Sequence, residues 1–401
     1  MVTYPSEWKE KALGDFISIG RGASPRPIES FLTSSPDGVN WIKIGDAPKY
    51  GMYITRTAER ITPAGAIRSV RVHAGDFILS NSMSFGRPYI LKIDGCIHDG
   101  WLRLYDYNET VDRDFLFYVL ASDETKKQYV AYAAGSGVQN LNKDVVKKVI
   151  VHLPTVKEQK AIAASLSSFD EYISDLAALI EKKKAIREGA VADLMTGKTR
   201  LAGYTAPWAS DTLGAIGTFT KGAPLSKAAI TETGTPFILY GELYTTYGEV
   251  TYVVHRHTKQ NAPADCISRV GDVIIPTSGE TADEIATACC VMVPGVILAG
   301  DLNIYRAPEM DGRFISHVIN HVINRKIAEV AQGISIIHIN AKVLGKMAIS
   351  YPQREEQSAI ADVIDKMDTE IRSLEAEREK MIQIREGAMN DLLTGRVRLS
   401  L

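Results

Sequence analysis

The residue groupings in this 401-residue chain that could do chemistry are few, and most dissolve on inspection. Gly197-Lys198-Thr199 has the residue types of a phosphate-cradling loop, in which backbone amides and a lysine hold the anion. Such a loop needs an earlier glycine where Ala192 stands, and it follows a strand, whereas this tripeptide closes a helical pattern. A second copy of the surrounding stretch reads Gly395-Arg396-Val397, so both the lysine and the hydroxyl are missing there. Gly20-Arg21-Gly22 and Gly135-Ser136-Gly137 are lone glycine pairs, which turns explain without a ligand. Cys96, Cys266, Cys289 and Cys290 lack paired spacing, so buried reduced thiols are expected. His255-Arg256-His257 lies on an alternating stretch and reads as a solvated strand edge. There is no Asn/Asp-Pro-Pro-aromatic motif for amino methylation and no recognisable Ser-His-Asp or Cys-His grouping. No catalytic residue, metal ligand or bound cofactor is therefore expected in this chain.

Basic side chains interleaved with aromatic and amide residues point to binding instead. The first part offers Arg21, Arg26, Lys43, Lys49, Arg56, Arg60, Arg68, Arg71 and Arg87, among Tyr50, Tyr53 and Ser80-Asn81-Ser82. The later part offers Lys221, Lys227, Tyr240, Tyr244, Tyr247, Arg256, Lys259 and Thr277-Ser278. Arginine and lysine contact phosphates and guanine, while asparagine, serine and threonine read base edges. A formal net charge of −2 excludes a uniformly basic nucleic-acid binder, so any DNA-binding face must be local. Residues 20–92 carry a clear excess of Lys and Arg over Asp and Glu, so the first segment shows such a face better than the second.

What must position these residues is a repeat. Arg187-Glu-Gly-Ala-Val-Ala-Asp-Leu-Met-Thr-Gly-Lys-Thr-Arg-Leu201 returns as Arg385-Glu-Gly-Ala-Met-Asn-Asp-Leu-Leu-Thr-Gly-Arg-Val-Arg-Leu399, and the match extends gaplessly back to Pro154 and Pro352. After Pro154, Thr155-Val156-Lys157-Glu158 is a capping box that starts a helix. Ile162, Leu166, Phe169, Ile173, Leu176 and Ile180 then alternate steps of four and three, a heptad seam. Lys183 and Arg187 interrupt it, and Gly197 is the expected stop. Ile360, Ile364, Met367, Ile371 and Leu374 repeat the seam, so the two helices are each other's expected partners, packed antiparallel as a coiled-coil rod. Residues 1–152 read as strand-rich, with strands expected at Trp41–Ile44, Asp76–Ser80 and Trp101–Tyr105, a helix near Asp114–Tyr132, a polar loop Gly135–Asn142 and a strand into Pro154. Residues 202–350 echo them loosely, with Arg56–Arg60 lacking a counterpart. The expected class is α+β with a pseudo-two-fold internal repeat. Its segments are 1–152, a helical 153–201, 202–350 and a helical 351–401. No apolar run approaches a bilayer span and no secretory signal opens the chain, so a cytoplasmic protein is expected.

Two diverged mixed segments alternate with two helices opened by Pro-x-x-x-Glu-Gln-x-x-Ile-Ala (Pro154 to Ala163, Pro352 to Ala361). The helices are closed by Leu194-Met195-Thr196-Gly197 and Leu392-Leu393-Thr394-Gly395. This layout resembles, over the whole chain, the specificity subunit of Type I restriction–modification enzymes. The resemblance implies a non-catalytic subunit with two target-recognition domains, each reading half of a bipartite, asymmetric double-stranded DNA site. It also implies two modification subunits that methylate adenine from S-adenosylmethionine, and restriction subunits that use ATP and Mg, with those cofactors on the partners. A specificity subunit of another restriction–modification type, or a coiled-coil scaffold whose end domains bind protein, are the alternatives that the residues leave open.

Overall fold

The computed structural model describes residues 3–48, 51–81, 86–107, 110–134, 141–331 and 337–400. Lys49, Tyr50, Ser82, most of the Gly135–Asn142 loop and its echo at Gly333–Ile336 lie outside the described residues. The chain divides into two compact units, residues 1–178 with 375–401, and residues 179–374. Each unit therefore holds one mixed segment, the start of one long helix and the end of the other. The class is α+β.

In the first unit a five-stranded sheet runs in the order Ser18–Arg21, Trp101–Tyr105, Phe77–Ser80, Pro88–Leu91, Tyr53–Ile54. Neighbours are antiparallel except the last pair. Phe77–Ser80 and Pro88–Leu91 are buried on both faces, which is why they read as apolar runs without alternation. A second sheet orders Glu59–Ile61, Val39–Ile42, Gly95–Ile97 and Val70–Val72. The expected strand at Trp41–Ile44 is shifted: it ends at Ile42, and a 3-10 turn, Ile44–Asp46, follows because the Asp46 carboxylate accepts from the Lys43 N–H. Gly20-Arg21 is strand rather than turn. It pairs with Arg103 and Leu102, and the Gly22 N–H continues onto the Trp101 carbonyl.

The second unit repeats the five-stranded sheet strand for strand, while its second sheet has three strands instead of four. Thr218–Lys221, Leu302–Arg306, Asp272–Pro276, Cys289–Val291 and Val250–Thr251 take the five places in the same order and senses. Arg256–Thr258, Thr235–Leu239 and Ile297–Ala299 form the second sheet. Its edge supplies the counterpart that Arg56–Arg60 lack in the sequence. Asn40 and Trp41 face Arg60 and Glu59 just as Pro236 and Phe237 face His257 and Arg256. Both units also pair their first and last strands, Lys9–Ala12 with Ile150–Leu153 and Ala209–Thr212 with Ala348–Tyr351.

The expected helix Asp114–Tyr132 is two, Arg113–Ala121 and Asp123–Ala134. Ser122 takes an extended ψ of 155°, and its hydroxyl donates to the Val119 carbonyl and accepts from the Thr125 N–H, closing one helix and opening the next. The long helices span Val156–Met195 and Arg354–Leu393. Of the residues expected to form a seam, Ile162, Leu166, Ile173, Leu176, Ile180, Ile360, Ile364 and Ile371 are buried, and Phe169, Met367 and Leu374 partly so. Ile162 and Leu166 join a core with Phe115, Leu116 and Met389, while Ile360 and Ile364 join one with Phe314, Val191 and Leu194. At these ends the apolar stripe thus serves the core of its own unit. All four cysteines are buried free thiols, and burial pushes Cys289 up to about 12. Among the described residues, no helix is long and apolar enough to cross a membrane.

Candidate nucleic-acid interface

The repeated helix ends build the same clasp in each unit. Glu158, expected to complete a capping box, makes only half of one: the Thr155 hydroxyl accepts from the Glu158 N–H, but the carboxylate goes elsewhere. It is almost wholly buried and receives Nε and Nη2 of Arg398 at 2.5 and 2.9 Å. Glu356 receives Nε and Nη2 of Arg200 at 2.5 and 2.6 Å. Each guanidinium also lies over an indole, Arg398 over Trp8 at 5.9 Å and Arg200 over Trp208 at 5.7 Å. The adjacent glutamines do the second half of the work. Gln159 donates to the Pro154 carbonyl and accepts from the Asp112 N–H, as Gln357 donates to Pro352 and accepts from Asp311. Asp112 and Asp311 cap the helices Arg113–Ala121 and Gly312–Val318, so Glu-Gln ties each long helix to both its neighbours.

The aspartates and arginines that repeat further along also pair within units. Arg385 donates to Asp170 at 2.8 Å, and Arg187 holds Asp368 with two bonds of 2.6 and 3.1 Å. Lys183, at the point where the seam breaks, bridges to Glu370 at 2.6 Å. These cross-pairs run the two helices antiparallel inside each unit: Glu158 meets Arg398 and Asp170 meets Arg385, while Arg200 meets Glu356 and Arg187 meets Asp368. Gly197-Lys198-Thr199 binds no phosphate geometry. Lys198 is paired with Asp193 at 2.9 Å, and the Thr199 hydroxyl turns to the same carboxylate.

On this scaffold the first unit gathers several of the basic candidates at one turn. Arg21 ends its strand and donates through Nε to the Asp99 carbonyl (3.1 Å), and Asn81 donates to the same oxygen (2.9 Å). Arg26 reaches the Asp99 carboxylate only at 3.4 Å and is 81% exposed, so most of its donors face water. A hydrogen bond from Ser24 holds that carboxyl below its ordinary range. Next to it, burial lowers the pKa of His98, whose Nε2 accepts from the Ile44 N–H. Lys43 lies by the same group but is bridged to Glu59 at 2.6 Å. Ser24, His98 and Asp99 form the centre of this cluster, and spacing does not reveal them because they come from separate strand ends. Asn81 is buried, so its amide fixes the turn.

The other candidates stand apart. Arg60 is exposed on the edge strand and donates to the Pro36 carbonyl; Arg68 covers the Phe31 ring at 5.2 Å, and Arg87 covers Tyr89 at 5.2 Å. Arg56 and Arg71 are exposed with no acidic partner among the described residues. In the second unit, Lys221, Lys227 and Lys259 are likewise exposed and unpaired among the described residues. Arg256 is half-exposed on the edge strand, 3.2 Å from Glu242. Tyr244 and Ser278 come together, the phenol donating to the Ser278 carbonyl at 3.0 Å, but Ser278 is buried and its hydroxyl donates to Asp301. Ser278 lies on the short strand Ser278–Gly279 opposite His338, so like Asn81 it serves the frame.

Residues 5–186 match the family model described as the Type I restriction modification DNA specificity domain. The match spans a little under half of the chain, which over those residues resembles this specificity domain. The chain is 21% identical, over 98% of its own length and 94% of the relative's, to the Type I restriction enzyme MjaVIII specificity subunit of Methanocaldococcus jannaschii. It is 24% identical, over 98% and 95%, to a putative type I restriction enzyme MjaX specificity subunit from the same organism. Its fold is similar to that of the Type I restriction–modification S subunit from M. genitalium, with a TM-score of 0.59 at 17% identity, covering 98% of this chain and 96% of that one. A chain from a solved type I R-M system gives a TM-score of 0.60 at 16% identity, covering 98% and 100%. This similarity accompanies a scaffold repeated residue for residue at its clasps and unmatched at its exposed edges.

Proposed function

We propose that this chain is the non-catalytic DNA-specificity subunit of a Type I restriction–modification system, each unit reading one half of a bipartite, asymmetric site. The observation that carries this is the pair of corresponding edge strands. One backbone register presents Glu59 and Arg60 in the first unit and Arg256 and His257 in the second, so a common frame offers different charge patterns. Two copies of one frame with unlike edges suit two unlike half-sites. In the first unit Arg21 and Arg26 are the side chains best placed to approach DNA, with Arg56, Arg60 and Arg71 as phosphate contacts. In the second these roles fall to Lys221, Lys227, Arg256 and Lys259.

The long helices act as an antiparallel coiled-coil rod that fixes the unread spacer, because readers held at a set separation require half-sites at a set spacing and helical phase. Two modification subunits and the restriction subunits bind this chain, and S-adenosylmethionine, ATP and Mg reside on them. Footprinting of the chain with its modification subunits is the direct test: protection of two short blocks separated by an unprotected interval is expected, and absence of a discrete site would reject the reading. Lengthening both helices by one heptad at the Lys183–Glu370 level adds about 10 Å of helix. The spacer should lengthen while both half-site sequences stay the same, and an altered half-site would contradict this division of labour.

Arg56→Ala and Arg71→Ala are expected to weaken binding about equally for all DNA sequences, each lowering the slope of log K against log salt by about 1. Titrations at several salt concentrations on matched and mismatched duplexes measure this. A change confined to one base position would assign the side chain to base reading instead.

A further inference from the structure

Glu249 precedes His317 by 68 residues, and no local spacing in the sequence connects them. The fold does. Glu249 stands immediately before the edge strand Val250–Thr251 of the second unit. His317 lies in the last turn of helix Gly312–Val318, and His321 in the π-helical turn Ile319–Ile323 that continues it. One carboxylate oxygen of Glu249 is 2.8 Å from His317 Nδ1 and the other is 2.5 Å from His321 Nε2. The three ligand atoms lie within 4.8 Å of one another. The His317 ring is fully buried, and its Nε2 has no hydrogen-bond partner.

The scaffold itself does not ask for this group. In the first unit the Ile90 N–H donates to the Met52 carbonyl where the Cys290 N–H donates to that of Glu249. Six residues after the capping aspartates Asp112 and Asp311, Tyr118 holds the place of His317, and the helix of the first unit ends at Ala121, before any counterpart of the π-turn that carries His321. One copy of the frame is thus complete with Met and Tyr at the first two places, and the other carries a carboxylate and two imidazoles. Glu249 is only partly buried, its side chain 22% exposed, and a carboxylate drawn even partly out of water is costly without cationic company. Arg187 approaches Glu249 at 2.7 Å, but its charge is already matched by two bonds to Asp368. π-Turns within helices frequently mark functional sites, and this one carries His321 toward the carboxylate.

We propose that Glu249, His317 and His321 form a divalent-metal site of zinc type. Two imidazoles and one carboxylate are a common protein donor set for tetrahedral Zn²⁺, with water or a further ligand in the fourth position. Metal there clamps the edge strand to the π-turn and stiffens the second unit, a role that the first unit fills with packed Met and Tyr.

Full-length protein stripped with a chelator and then freed of it should take up one equivalent of Co²⁺, with the visible ligand-field bands of tetrahedral coordination, and Zn²⁺ should displace it. Zn²⁺ should also raise the melting temperature, since a ligand that binds only the folded state stabilises it. His321→Ala removes a partly exposed ligand without opening the core, and Glu249→Gln keeps the side-chain shape. Each should weaken uptake about 100-fold or more, beyond the 10- to 100-fold lost when only a supporting partner is removed. His73→Ala, on the surface of the first unit, serves as the control and should match the wild type. No stoichiometric uptake by the wild-type chain, or unchanged uptake in both variants, would overturn the site.

Discussion

Replacing Arg306 by alanine is expected to destabilise the second unit by about 3–5 kcal/mol, the usual cost of stranding one partner of a buried ion pair. Arg306 sends Nε and Nη2 to Asp272 at 3.0 and 2.8 Å, with the two side chains 11% and 5% exposed. Its remaining donors reach the carbonyls of Asp265 and Ile267, so the same substitution unties the short turn Ala264–Cys266. Asp272 would keep the Arg269 N–H, which points to the lower end of the range. The first unit supplies its own contrast. Asp76 occupies the corresponding place but is held by Arg103 at 3.2 Å, with side chains 27% and 20% exposed, so Arg103→Ala should cost only about 1 kcal/mol. Urea unfolding of the full chain, followed at Trp208 for the second unit and by hydrogen exchange for the first, separates the two. Equal losses would refute the burial argument.

The second large effect is expected at a glycine that appears twice. Gly197 and Gly395 end the long helices at φ of +70° and +71°, where an alanine costs about 1–2 kcal/mol for its Cβ alone. The surroundings then differ. A Cβ on Gly197 would meet the Trp208 ring at 3.3 Å, which small movements relieve, while one on Gly395 would stand 2.5 Å from Pro5 Cγ. With overpacking of about 1–3 kcal/mol added, Gly395→Ala should lose about 2–5 kcal/mol and Gly197→Ala about 1–2 kcal/mol. Hydrogen exchange over residues 385–400 and 187–202 in the two variants measures the difference. Equal protection losses would show that Pro5 yields.

The repeated helix ends were legible in the sequence as a repeat and as helix stops, since Gly197 and Gly395 recur where a positive φ is needed. The glutamate–arginine clasps were not, because 240 residues separate Glu158 from Arg398 and 156 separate Arg200 from Glu356. The strands of the shared frame were legible only in part. Glu59–Ile61 and Arg256–Thr258 hold the same place through backbone hydrogen bonds, which leave no mark on side-chain identity. The break at Ser122 escaped because Phe115, Val119, Leu120 and Tyr129 keep a helical spacing across it, and the serine's bonds to its own backbone decide the matter. Among the candidate contacts, the exposed arginines and lysines were readable as types. Which of them share a surface was not, since Asp99, the residue that gathers Arg21, Arg26 and Asn81, sits in a tight turn with no signature. The Glu249 group illustrates the same limit over a longer separation.

The division of the chain into units has a consequence for its synthesis. The second unit is one continuous stretch, residues 179–374, whereas the first needs residues 375–401 as well as 1–178. Glu158 and Glu7 receive Arg398, and Trp8 lies beneath the same guanidinium. On the ribosome the first segment therefore emerges with a buried carboxylate whose partner is still about 240 codons away. The unit encoded later is complete earlier, reversing the usual N-terminal-first order of domain formation. Nascent chains truncated near residue 380 should hold a protease-resistant second unit beside a first unit that is still open to cleavage around Pro154.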